Sequence, residues 1–192
     1  MSKVKMGAKY PRFAAIKTEE AGKLPAYDTE KVTIGELIAA NLTVNLASGE
    51  LYSDDALNIK VSEFSSGTIA METDGIEDTV ASALFGATAK EGLVVYNVGD
   101  VAPNGGLAYY VMLKDKITGT HYKGYYFPKV QAAMGNDNAA TKGSSVSFQT
   151  ASTTFTVMKA ENGDWMQTEV FATEAEAKAW VDSMLTTTAP AA

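Results

Sequence analysis

Acid–base and nucleophilic chemistry in this chain would have to run through very few side chains. His121 is the single histidine and there is no cysteine, so a base-assisted Ser or Thr nucleophile has one candidate partner and thiolate chemistry has none. His121 stands in the run THYKGYY beside an expected turn, with no acid nearer than Asp115, and a structural role is the expectation. A zinc site needs several His or Cys ligands and is disfavoured. Asp54 and Asp55 are adjacent carboxylates suited in type to calcium or to an acid pair, yet neighbours in sequence diverge on a strand or turn, so a turn role is expected. Glu77 and Asp78 fall in a first helical turn, where the macrodipole accounts for them. Pro103-Asn-Gly-Gly106 lacks the Lys-Ser/Thr of a phosphate loop and reads as a turn. Asn41-Leu-Thr43 is a formal glycosylation sequon inside an expected strand. Tyr109, Tyr110, Tyr122, Tyr125, Tyr126 and Phe127 would make a sugar-binding platform if several rings shared one exposed face, but on a strand alternate rings turn inward. No catalytic constellation, cofactor site or metal site emerges, and the chain is read as a non-enzyme.

The elements that must position these residues belong to an ordinary soluble domain. The chain has 192 residues, 46% hydrophobic and 20% charged, a size that buries roughly 70% of the unfolded surface. One domain over residues 1–185 is expected, with a flexible tail over 186–192. The start, MSKVKMGAKYPRF, lacks the apolar core of a secretory signal. The longest charge-free apolar stretch, residues 37–49, falls short of the roughly 20 residues of a membrane span.

The net charge of −7 conceals an asymmetry. Residues 1–17 carry Lys3, Lys5, Lys9, Arg12 and Lys17 and no acid, a basic arm of +5. Residues 32–89 carry nine acids against Lys60 alone, or −8. Opposite-sign blocks can set the register of a head-to-tail contact between copies, although solvation alone would also account for them. Specific nucleic-acid binding fits poorly, because Arg12 is the only arginine and phosphate recognition favours clustered forks.

Residues 31–46 predict a long strand, the Ala47-Ser48-Gly49 cluster a turn, and residues 50–53 the return. Residues 58–64 and 68–72 are further strands separated by Ser65-Ser66-Gly67. Asp74 and Glu77 form a capping-box pattern ahead of a helix ending at Gly86. Strands follow at 93–98, 107–114, 122–131, 146–150, 154–159 and 165–172, with a polar loop at 135–145 and an Asn162-Gly163 hairpin signal. Thr173 and Glu176 make a second capping box, and Ala177, Trp180, Val181, Met184 and Leu185 form one apolar stripe. The fold class is mainly β with α: a β-sandwich or partly closed barrel with one or two flanking helices.

Three stretches together resemble the major tail protein family of long-tailed, non-contractile bacteriophages. ELYSDDALNIKVSEF carries Tyr52-Ser53-Asp54-Asp55, similar to a tyrosine, small residue, Asp-Asp pattern in that family, with Ser53 where Ala is expected. The helix GIEDTVASALFGA ends in a similar Leu84-Phe85-Gly86. HYKGYYFPKVQ leads through a polar loop to VSFQTAS. The resemblance spans residues 1–185, and the extra immunoglobulin-like domain of some relatives is not expected in this chain.

The resemblance implies a tail-tube-like subunit, assembling with itself into stacked hexameric rings whose lumen passes DNA without specific binding. It implies a place in the virion tail after assembly in the host cytoplasm, with tape-measure, tail-terminator and distal tail proteins as partners, and neither cofactor nor membrane. An acidic lumen would let DNA slide, since a basic one would hold phosphates. The expected inter-ring contact is the hairpin tip at Asn45, Leu46, Ser48, Gly49, Glu50, Tyr52, Asp54 and Asp55, and the basic arm is expected to dock on a neighbour. The alternatives are a tube subunit of a contractile injection or secretion system and, in another class, a monomeric carbohydrate- or ligand-binding β-sandwich using Trp165 and the tyrosines.

Overall fold

The computed structural model describes residues 3–115, 119–136 and 149–186. Ten strands and two helices follow in the order β1 (Val4–Thr18), β2 (Ala26–Thr33), β3 (Leu37–Ser53), β4 (Ala56–Thr73), α1 (Asp78–Phe85), β5 (Thr88–Lys90), β6 (Leu93–Val95), β7 (Asn104–Lys114), β8 (Thr120–Met134), β9 (Ala151–Met158), β10 (Gln167–Phe171) and α2 (Glu174–Met184). Eight strands form one antiparallel sheet in the order β2-β1-β7-β8-β9-β4-β3, with β10 added to β8, while β5 and β6 pair by themselves. The sheet curls until β1 approaches β3, but its path is open. The architecture is thus a mainly β domain with two short flanking helices and open sheets.

The period-2 alternation of β7 and β8 divides the core between the two faces of the sheet. Leu107, Tyr109, Val111, Leu113, Tyr125 and Phe127 point to one face, where they pack with Phe13, Ile69, Phe155 and the buried side of α1. Ala108, Tyr110 and Tyr126 point to the other, against Tyr27 and the Ala177, Val181 and Leu185 stripe of α2. On that second face Tyr27 donates its hydroxyl hydrogen to the Pro128 carbonyl (2.8 Å), leaving Tyr126 as the donor to Tyr27. The Tyr27 N–H donates to the Thr186 carbonyl at 3.0 Å, which ties the end of α2 to β2.

Pro128 marks a change of partner along β8. Residues up to Tyr126 pair with β10, and those from Lys129 onward pair with β9. Proline has no N–H to give a ladder, so the strand passes from one neighbour to the other at the residue that can bond neither. Asn162-Gly163 does make a turn, with Gly163 at φ +94°, but it does not close a β9–β10 hairpin. Both edges of β9 are already occupied, by β8 and β4, so β10 takes the vacant half of β8.

Several other sequence expectations are corrected. Residues 4–18 form a strand between β2 and β7, and the strand expected over 31–46 is interrupted at Gly35 (φ +140°), where a Cβ would meet the Gly75 carbonyl oxygen at 2.6 Å. Pro103-Asn-Gly-Gly106 is not a turn. Gly105 and Gly106 lie in β7 because the Phe13 and Tyr27 rings cover them, and a Cβ would come within 2.2 Å and 2.6 Å of those rings. Asp74 does not cap α1: its carboxylate accepts the Glu36 N–H (2.7 Å), and the helix starts after Glu77 with no side-chain cap. The capping box at Thr173 and Glu176 forms as expected. The loop at 137–145, most of the strand expected over 146–150 and the tail at 187–192 lie outside the described residues.

Candidate self-assembly surface

The β3–β4 hairpin is the feature that dominates the exterior. It runs unbroken through Ala47-Ser48-Gly49 and Ser65-Ser66-Gly67, both expected to be turns, and reverses only at Asp54-Asp55. Those residues have φ +50° and +60°, the left-handed conformation required at both central positions of a type I′ hairpin turn, which Asp tolerates better than most residues. The turn role expected for the two aspartates is therefore the one observed. Gly67 stays in the strand because β9 and β3 flank it closely, with Val157 Cβ 3.2 Å and Thr43 O 3.4 Å from where its Cβ would stand.

The inner half of this hairpin is built into the body. Ala40 pairs with Met71 and Leu42 with Ile69, facing the first core, and β9 covers the other edge of β4 from Gly67 to Thr73. Beyond Gly67 the two strands project alone. Every residue from 43 to 63 is exposed. The last link to the body is Phe64, stacked on Trp165 at 4.4 Å and 5° between planes, next to a bulge opposite Asn45 and Leu46.

Each face of the projecting half carries exposed apolar side chains among polar ones. Leu46 (59% exposed) pairs with Phe64, and Tyr52 (62%) with Leu57, on the face that continues the core stripe. Leu51 (55%) pairs with Ile59, and Gly49 with Val61, on the other. Ser48 pairs with Ser62, and the Asn45 side-chain amide donates to Ser66 Oγ at 3.2 Å. Glu50 accepts from Lys60 (2.8 Å) and from the Tyr52 hydroxyl (3.0 Å), and the Lys60 bond, then the Tyr52 bond, hold its carboxyl below the ordinary range. An isolated two-stranded hairpin is marginally stable in water, and the neighbouring Leu51, Ile59 and Val61 on one face are the kind of exposed apolar surface that marks an interaction site.

The tip expected around residues 45–52 is therefore mid-strand, and the chain reversal lies at Asp54 and Asp55. The basic segment divides likewise. Lys9 pairs with Glu174 (3.3 Å), whose carboxyl is held below its ordinary range by hydrogen bonds from Tyr110 and then Lys9. Arg12 donates to Thr33 (2.7 Å) and lies 3.3 Å from Asp182, a charge contact without hydrogen-bond alignment at Nε. These two cations bind α2 of their own chain. Lys3 and Lys17 lie exposed at the two ends of β1. Lys5 and Lys123 reach over one ring, each ammonium 5.1 Å from the Tyr125 centroid, a convergence across two strands that no local motif announces.

The six clustered aromatics form no exposed platform. Tyr109, Tyr110, Tyr125, Tyr126 and Phe127 are buried, divided between the two sides of the sheet, and Tyr122 packs against Tyr110 at 6.1 Å. His121 lies half-buried in β8 opposite Leu113. Among the described residues no group of three or more His, Asp or Glu could hold a metal ion, and no helix is long and apolar enough to cross a membrane. A cavity of about 440 Å³ lies between α1, β6 and the end of β8, lined by Asp74, Phe85, Tyr96 and Ser152, without a facing acid–base pair.

A scan against protein-family models finds no match to this chain, and a search of curated protein sequences finds no significant relative.

Proposed function

We propose that this chain is a self-assembling structural subunit, and specifically a tail tube protein of a long-tailed bacteriophage. Its copies would form stacked, hexameric rings through which DNA passes. The observation that carries the reading is the projecting half of the β3–β4 hairpin, a two-stranded arm with large apolar side chains such as Leu46, Leu51, Tyr52 and Ile59 that a monomer leaves exposed on both faces. The open sheet adds to it. The outer edges of β3 and of β2 beyond Tyr27 are paired by no described strand, an aggregation liability in a monomer and a means of joining copies in an assembly. The order of motifs around Tyr52-Ser53-Asp54-Asp55, Leu84-Phe85-Gly86 and the β8 segment supplies the phage-tail identification, and tape-measure, tail-terminator and distal tail proteins are the partners it entails.

The test is negative-stain electron microscopy of the purified protein over a range of concentrations, with sedimentation of the same samples. Rings with a central hole or hollow tubes are expected. A monomer at every concentration, also after seeding with preformed phage tail tips, would overturn the reading. A tube subunit of a contractile or secretion system differs in needing an outer surface for a sheath, and tubes that recruit sheath protein would favour it. The carbohydrate-module reading loses its main support with the burial of the tyrosine rings.

A further inference from the structure

We infer that the hairpin tip of one copy docks, through Asp54 and Asp55, on the face of a second copy where Lys5 and Lys123 flank Tyr125. The inference rests on the self-assembly reading and assigns that contact its receptor. Intramolecular ion pairing removes part of the other candidates. Of the basic segment, Lys9 and Arg12 are engaged by Glu174 and Asp182 of their own chain. In the projecting hairpin Glu50 is engaged by Lys60. Among the described residues Lys5, Lys123, Asp54 and Asp55 take part in no ion pair, and what sets them apart from other unpaired charges is that each pair is gathered at one point, the lysines around the Tyr125 ring and the aspartates at the turn.

The two sites also match in form. β1 and β8 lie on either side of β7, with Lys5 opposite Leu113 and Lys123 opposite Val111, so both lysines rise from the face that carries Tyr125. Two ammonium groups around one ring are held by its π-cloud and gather positive charge at one place, which an incoming carboxylate pair complements. The donor is a tight turn in which two adjacent residues hold positive φ, presenting both carboxylates at the end of an arm. Tyr52 and Leu57 sit directly behind them, and the receptor offers Val170, 49% exposed and paired with Lys123. Apolar contact beside complementary charge is the composition of a specific interface. The tip lies about 25 Å beyond Phe64 at strand rise per residue, too far out to serve its own body at that distance and long enough to reach a neighbour.

Charge reversal on the full chain tests the contact. Asp54→Lys with Asp55→Lys should raise the concentration threshold for assembly about tenfold or more, the scale of a close interfacial charge pair, and so should Lys5→Glu with Lys123→Glu. The four changes combined should restore assembly towards the wild-type threshold. Lys5→Gln with Lys123→Gln serves where the glutamates disturb folding, with circular dichroism as the check. In parallel, carbodiimide cross-linking of mixed ¹⁴N and ¹⁵N protein should yield mixed-isotope Lys5 or Lys123 links to Asp54 or Asp55. Tubes that form without such links, together with no rescue in the combined variant, would overturn the docking inference and leave the tube reading standing. No assembly and no links would overturn both. Loss of duplex-DNA retention by the lysine variants with assembly unchanged would assign the lysines to DNA and overturn the docking.

Discussion

The two halves of the β3–β4 hairpin share strands, pairing and an alternating pattern, yet only one half belongs to the body. Leu42 opposite Ile69 faces the core, whereas Leu51 opposite Ile59, in the same kind of antiparallel pair, faces solvent. The difference is not in the pairing, because both halves form one continuous antiparallel ladder. It lies in what covers them: β9 pairs with β4 as far as Gly67, and farther out β3 is the one described strand beside it. A residue type therefore specifies the strand, and a tertiary neighbour decides whether its burial contributes to folding or remains available for association.

The sharpest way to break this comparison is to remove large apolar side chains from the packing of the inner half and from the projecting half. Phe155→Ala, at a fully buried site of β9 opposite Ile69, should cost about 3–5 kcal/mol of stability, measured by urea denaturation. Leu51→Ser with Ile59→Ser should leave monomer stability within about 0.5 kcal/mol while abolishing tubes in electron micrographs. Equal losses of stability from the two changes would mean that the projecting arm packs on its own body in solution.

Next in size are contacts that fix the body alone. Gly105→Ala forces a methyl against the Phe13 ring and should cost about 1–3 kcal/mol as an overpacked site. Tyr27→Phe leaves the Pro128 carbonyl and the Tyr126 hydroxyl without their partner and should cost a similar 1–3 kcal/mol. Neither should change assembly at temperatures where the variant is folded, a separation that sedimentation checks directly.

Smaller effects sharpen the boundary. Asp54→Asn with Asp55→Gly supplies the preferred residues of the same turn and should slow amide exchange along the arm, yet weaken assembly through loss of both carboxylates. The pH dependence is smallest. Glu174 has its folded pKa below the unfolded value, so its contribution is present above the ordinary glutamate range and fades as pH falls through the depressed value. The buried Tyr109 and Tyr126 are raised by desolvation, so their contribution is whole below the ordinary phenol range near 10 and declines above it. Alkaline absorbance titration should therefore show most tyrosines ionising together with unfolding.

Much of the body was legible in the sequence. The Thr173–Glu176 capping box and the stripe through Val181 and Leu185 announced α2, and the alternating β7 and β8 runs announced strands. What could not be read was decided by distant contacts. Gly105 and Gly106 look like a turn until the rings of Phe13 and Tyr27 are laid over them, and the Ser65-Ser66-Gly67 cluster looks like a break until β9 is set beside it. Asp74 carries a cap signature that the Glu36 amide claims instead. The candidate site was half visible: Asp54-Asp55 stood out as a turn pair and residues 1–17 as basic, but which cations are already engaged within the chain depended on α2 arriving beside β1.

The stacking of Phe64 on Trp165 and the run of β4 along β9 also give the hairpin a mechanical character. A pull on its tip along the strand direction loads the ladder between β4 and β9, whose antiparallel hydrogen bonds lie across the strands. The rungs from Gly67 to Thr73 then share the load in shear instead of opening one after another. A sideways push meets no such ladder and bends the arm at the bulge beside Phe64. The projecting hairpin is accordingly stiff in tension and compliant in flexure, a tether that can hold while it bends.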